Sequence, residues 1–192
     1  IKQCLVGSEM CIRDSDRILF SKSDGNFFDV FEKLNSKISI NFETIYITNE
    51  DYLTNFKADM IVNNNQIKDL ILSSQFSTKE DLKLSIKTNS NNERITDLFA
   101  GNAKPLVKKY DFIKGFEGGY LKFDSIEKNK VSNSNLKIFD FKLKEVPALT
   151  KLLTLASLQG IADLLTGEGI RFSEFEMIFN NKGGLMTIEE IY

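Results

Sequence analysis

The 192-residue chain has no histidine and no tryptophan, only two prolines, and only two cysteines, Cys4 and Cys11. Without histidine it lacks the commonest metal ligand and the commonest general base near neutral pH, so most metalloenzyme and hydrolase templates do not apply. A Walker phosphate loop and a GxSxG nucleophile elbow are also missing. Long runs of one charge are absent too. The 25 Lys and Arg are spread among 27 Asp and Glu, for a net charge of −2, which leaves no electrostatic footprint for a nucleic acid. The abundance of Lys, Asn, Ile and Phe is the bias that AT-rich codon usage produces.

What remains is alternation. Hydrophobic residues make up 42% of the chain, enough for one sizeable core, and from Ile38 onward they recur at every second position, the period of a strand with one buried face. Ile38, Ile40 and Phe42 form one such run. Phe56, Ala58, Met60 and Val62 form a second, and Leu82, Leu84 and Ile86 a third. Leu121 and Phe123 follow the Gly118-Gly119 pair; Phe139, Phe141 and Leu143 alternate with Asp140 and Lys142; Ile170 and Phe172 open a further strand. Clusters rich in Asn, Ser and Gly, at 63–65, 89–92, 129–135 and 180–184, read as turns. Hairpins linked in series predict an antiparallel meander.

Three helices are expected. Asn26 to Leu34 and Ala103 to Tyr110 read as short ones, the latter with Pro105 in its first turn. A long one is expected near residues 147–165, because VPALTKLLTLASLQGIADLL holds strong helix formers between Pro147 and Thr166-Gly167. Val146, Leu149, Leu152, Leu153, Ala156 and Leu164 share one of its faces. Leu155, Leu158, Ile161 and Leu165 populate the others, so the helix is apolar nearly all round. Lys151 and Asp163 argue against a membrane span, since a charge costs roughly 2.5 to 3.5 kcal/mol at mid-bilayer. A buried core helix, a lid over a groove and a membrane-surface helix are the readings left open.

Two features invite a catalytic reading. Gly115, Gly118 and Gly119 in KGFEGGY suggest a phosphate cradle, but the spacing is wrong and a strand follows, so a turn using positive φ is expected. Glu174 and Glu176 would share the polar face of a strand, where a carboxylate pair can do acid/base work or hold a hard cation. A solvated edge is the simpler reading. No catalytic residue, metal or cofactor is assigned.

Residues 1–15, IKQCLVGSEMCIRDS, differ in character from the rest of the chain. They resemble the translated sequencing-adaptor tails that precede unrelated gene fragments, and are expected to be non-native. Read as native, they would form a short strand with Cys4 and Cys11 as a disulfide or thiol pair. The closing GGLMTIEEIY reads as a strand cut short. Residues 16–192 are accordingly expected to be one domain truncated at both ends, whose cysteine-free body suits cytoplasm or periplasm.

The segment Leu136 to Leu185, with KIFDFKLKEVPALTKLLTLASLQGIADLLTGEGIRFSEFEMIFNNKGGL at its heart, closely resembles the C-terminal region of the AsmA-like superfamily, related to YhdP and TamB. A strand ends in Val-Pro, a leucine-rich helix carries LTLASLQGIADLLTGEGI, and the chain re-enters the sheet at Ile170-Arg171-Phe172. Upstream, ITDLFAGNAKPLVKKYDFIKGFEGGYLKFD is similar to that family's preceding unit, a short helix and a Gly-Gly hairpin into a strand.

The resemblance implies a periplasmic segment of an inner-membrane-anchored envelope protein, its anchor missing from this fragment. It also implies a curved, taco-like β groove that carries or shelters phospholipid between the inner and outer membranes. Candidate groove liners are Ile38, Ile40, Phe42, Phe56, Met60, Val62, Leu82, Leu84, Ile86, Leu121, Phe123, Phe139 and Phe141. Candidate lid residues are Leu149, Leu152, Leu153 and Leu164. The alternative is a non-catalytic assembly module for the outer membrane.

Overall fold

The computed structural model describes residues 2–6, 9–13, 36–48, 50–63, 66–109, 115–144 and 169–192. Among them eleven strands form a single sheet whose spatial order is the order of the chain, and the sheet does not close on itself. Short β1 (Lys2–Val6) and β2 (Glu9–Arg13) pair antiparallel, with Cys4 opposite Cys11 in the backbone register, and β2 runs parallel to β3. The rest is an unbroken antiparallel meander: β3 (Ser36–Tyr46), β4 (Tyr52–Asn63), β5 (Gln66–Phe76), β6 (Asp81–Thr88), β7 (Arg94–Ala100), β8 (Phe116–Lys128), β9 (Val131–Leu143), β10 (Ile170–Lys182) and β11 (Leu185–Ile191). The mainly β expectation therefore holds. β5 and β7 are strands that the alternation did not mark.

Three local readings need correction. The turn expected over 129–135 is only Asn129-Lys130, at φ 53° and 63°, and Val131 to Asn135 already belong to β9. Likewise Asn180 to Lys182 close β10, and Gly183-Gly184, at φ 62° and 85°, make the turn. Two consecutive positive φ values suit the tight twist of a two-residue hairpin, so polar residues beside them are free to extend the strands. The Gly118-Gly119 pair is not a hairpin at all. Both lie inside β8 with φ of 70° and 74°, facing Asp140 of β9 at φ 53°.

This kink has a consequence for packing. Phe116 and Leu121 are five positions apart, yet both are buried, and Ile138 and Phe141, three apart, are buried as well. A regular strand would send each such pair to opposite faces. The left-handed residues between them reset the alternation, so one face collects both sets. Across the kink, Phe116, Phe141 and Phe172 stack in series on three adjacent strands with centroids 5.1 Å apart at each step.

Of the expected short helices, α1 (Lys104–Lys109) is present, with Pro105 in its first turn and Lys108 and Lys109 in its last, where they complement the helix dipole. Asn102 Oδ1 accepts a hydrogen bond from the Lys104 amide, and the Ala103 amide donates to the Gly119 carbonyl at 2.8 Å, docking the turn on β8. Ala103 and Val107 are buried, and Lys108 reaches Glu50 of the β3–β4 connection at 2.8 Å. The expected helix at 26–34, the long one near 147–165, and the lid candidates Leu149, Leu152, Leu153 and Leu164 lie outside the described residues. Among the described residues no helix is long and apolar enough to cross a membrane.

Candidate functional site

The strand registers line up apolar side chains from strand to strand. Ile40, Ala58, Leu72, Leu84, Leu98, Phe123, Leu136, Met177 and Ile191 are paired in succession from β3 to β11. Every member of the row is apolar. At ~4.8 Å between neighbouring strands the row is about 38 Å wide. Such a row is continuous only because alternation and register agree in all nine strands.

Burial along the row is uneven. Ile40, Ala58 and Met177 are buried, the five residues from Leu72 to Leu136 are half-buried, and Ile191 is 57% exposed. A depression of about 550 Å³ lies over this half-buried stretch, lined by Ile71–Ser73, Lys83–Ser85, Asp97–Phe99 and Lys122–Asp124, and its wall is mainly carbon. That volume falls in the range of small-molecule sites, roughly 300 to 1,000 Å³.

The candidate liners divide three ways. Ile38, Ile40, Phe42, Met60, Val62, Leu82, Leu121 and Phe141 are buried members of one hydrophobic cluster. Phe56, Leu84, Ile86 and Phe123 are half-buried and pack against it, with Phe42 and Phe56 ring to ring at 6.3 Å. Phe139 is on the opposite face. The left-handed Asp140 separates it from Phe141, and it stacks on Tyr120 at 4.8 Å, with Phe99 at 6.4 Å from Tyr120 and the Lys122 ammonium 5.7 Å from the Phe139 ring. The alternation missed Leu72, Leu98 and Leu136; the signal for them is the pairing register, which one strand alone does not reveal.

Along the strands the same face runs from polar to apolar. At one end Thr88, Arg94, Glu127, Ser132 and Asn181 pair in succession, and the Thr88 hydroxyl donates to the Lys68 carbonyl. Two residues further in come Leu70, Ile86, Thr96, Ser125 and Ser134, where the buried Ser125 and Ser134 hydroxyls satisfy each other at 2.9 Å. The apolar row follows, and after it Leu82, Ala100, Leu121 and Ile138.

The carboxylate pair is held by a lysine. Glu174 and Glu176 do share a face of β10, but Lys137 Nζ stands 3.7 Å from Glu174 and 3.0 Å from Glu176, whose Oε1 also accepts from Asn135 Nδ2 at 2.7 Å. The Lys137 and Asn135 hydrogen bonds hold the Glu176 carboxyl below the usual range, the reverse of what a general acid needs. On the same outward face Asp97 lies directly opposite Asp124, and partial burial followed by the Asp97 charge pushes the Asp124 carboxyl up. Among the described residues no group of acidic or cysteine side chains is placed to hold a metal ion.

No protein-family model, curated protein or solved structure matches this chain. The site must therefore be read from its own residues.

Proposed function

We propose that this chain is a segment of an AsmA-like envelope protein, related to YhdP and TamB, that shelters phospholipid acyl chains against one apolar face of a curved β groove between the inner and outer membranes. The observation that carries the reading is the apolar row running through nine consecutive strands, half-buried in its middle and accompanied by the depression over β5 to β8. The segment acts without covalent chemistry. Transfer of acyl methylenes from water to such a face yields ~0.8 kcal/mol per CH₂, so about ten buried methylenes supply roughly 8 kcal/mol towards holding a lipid.

Within this reading Leu84, Ile86, Phe123 and Leu72 are the contact residues, and the fully buried members, such as Ile38 and Ile40, form the wall behind them. The protein works in the periplasm, anchored to the inner membrane. Mass spectrometry of the chain purified from a Gram-negative host tests the proposal. Co-purifying phospholipid is expected for the unaltered chain and at least tenfold less for Leu84→Glu, a half-buried site where the charge meets acyl carbon. Absence of phospholipid from the unaltered, folded chain refutes the reading.

A second reading, a non-catalytic assembly module for the outer membrane, is favoured by the apolar side chains of β11: Leu185, Met186, Ile188 and Ile191 are 47 to 72% exposed, a surface that a partner protein can cover.

A further inference from the structure

At the polar end of the same face a second, smaller cleft of about 200 Å³ opens between β5, the β6–β7 turn and the β8–β9 turn. Its wall brings together Lys68, Arg94 and Lys130 with a single carboxylate, Glu127, and the amide side chains of Asn92 and Asn129. The Arg94 guanidinium is fixed by Glu127 at 2.7 Å, and Lys68 Nζ donates to Gln66 Oε1 at 3.2 Å. Lys130 follows the left-handed Asn129 in the tight turn, itself at φ 63°, and among the described residues no carboxylate pairs with it. Three cations against one anion leave the cleft positive, in a chain that is net negative.

The geometry points to this cleft as a binding site for a phosphate-type anion, with Lys68, Arg94 and Lys130 as its charged donors. A tetrahedral oxyanion takes several charge-assisted hydrogen bonds at once, and a forked guanidinium beside mobile ammonium groups is the donor set such an anion recruits. The position adds a second argument. From Lys68 to Ser74 along β5 the face spans six residues, or about 20 Å at ~3.4 Å per residue, passing through Leu70 and Leu72. One leaflet of a bilayer's hydrocarbon core is about 15 Å deep. A phosphate held in the cleft therefore places an attached acyl chain over the apolar row, so the assignment, taken as the headgroup end of that site, rests on the lipid reading above. A free phosphate would use the same donors without the row.

Titration of the full chain by ¹⁵N NMR with inorganic phosphate and, separately, with a short-chain phosphatidylglycerol below its micelle concentration tests this. The variants are Lys68→Gln and Lys130→Gln, both surface changes that leave the Arg94 pair and the core intact. Loss of a charged donor is expected to weaken phosphate or phospholipid binding about tenfold per lysine. Phosphate binding lost in the variants, with no phospholipid bound by any form, upholds the cleft and refutes the lipid reading. Phospholipid binding that is unchanged in the double variant, with no shift of the Lys68, Arg94 or Lys130 amides, overturns the cleft and leaves the lipid reading standing. Absence of both ligands from the unaltered chain overturns the cleft.

Discussion

The kink in β8 can be dissected by replacing its two glycines with alanine one at a time. Gly118 and Gly119 have nearly the same backbone, φ 70° and 74°, so a Cβ costs each about 1 to 2 kcal/mol in left-handed strain. Their surroundings differ. A Cβ on Gly118 meets only the Asp140 carbonyl at 3.7 Å, ordinary contact, whereas one on Gly119 meets the Phe139 carbonyl oxygen and the Phe141 Cβ, both at 2.8 Å. Neither neighbour is the end of a flexible side chain, and the Gly119 carbonyl also receives the Ala103 amide that docks α1. Forcing the strands apart adds ~1 to 3 kcal/mol, by analogy with overpacked cores.

Gly118→Ala is therefore expected to lose about 1 to 2 kcal/mol and Gly119→Ala about 2 to 5 kcal/mol. For a chain of this size each kcal/mol moves Tm by roughly 2 to 4 °C. Urea denaturation followed by far-UV circular dichroism, with thermal melts alongside, reads both values. Equal losses at the two sites would show that the close approach to β9 plays no part in the kink, and refute the reasoning.

Two further outcomes follow from the packing and the charges. Ile138→Ala, at a side chain 1% exposed in the centre of the cluster, should cost about 2 to 5 kcal/mol by denaturation; a loss under 1 kcal/mol would show that the site is not close-packed. Asp124→Asn tests the acidic pair. Burial and Asp97 raise the folded-state value of Asp124, so the folded form keeps its proton longer than the unfolded one, and stability falls as pH rises from the ordinary Asp value near 3.9. The variant escapes that loss. It should gain up to about 0.5 kcal/mol at pH 7, a figure held small by solvent screening, and nothing at pH 3; a gain independent of pH would count against the assignment.

How much of this was legible in the sequence depends on whether alternation stayed regular. Ile38 to Phe42, Ala58 to Val62 and Leu82 to Ile86 are regular, and each was assigned to the correct face. β5 escaped notice because Ile71, 61% exposed on the outward side, sits between Leu70 and Leu72 and turns an alternating pattern into an apolar block. In β7, Leu98 and Phe99 do the same. Phe139 was misplaced because aspartate gives no sign that it will adopt a left-handed φ; only its pairing with the glycine kink explains it. Glu174 and Glu176 were placed correctly on one face, but their neutralising Lys137 comes from another strand, and cross-strand partners depend on a register no single segment encodes.

Because each strand from β3 to β11 is hydrogen-bonded only to the strands before and after it in the chain, the sheet is close to a one-dimensional array. Every pairing joins strands that follow one another in the chain, so the sheet can assemble strand by strand without a search among distant partners. Evolution can then lengthen or shorten such a sheet by whole hairpins without disturbing the pairing of the strands that remain. A protein built this way tunes its span by counting repeats of one simple unit, as a ruler is lengthened by adding marks.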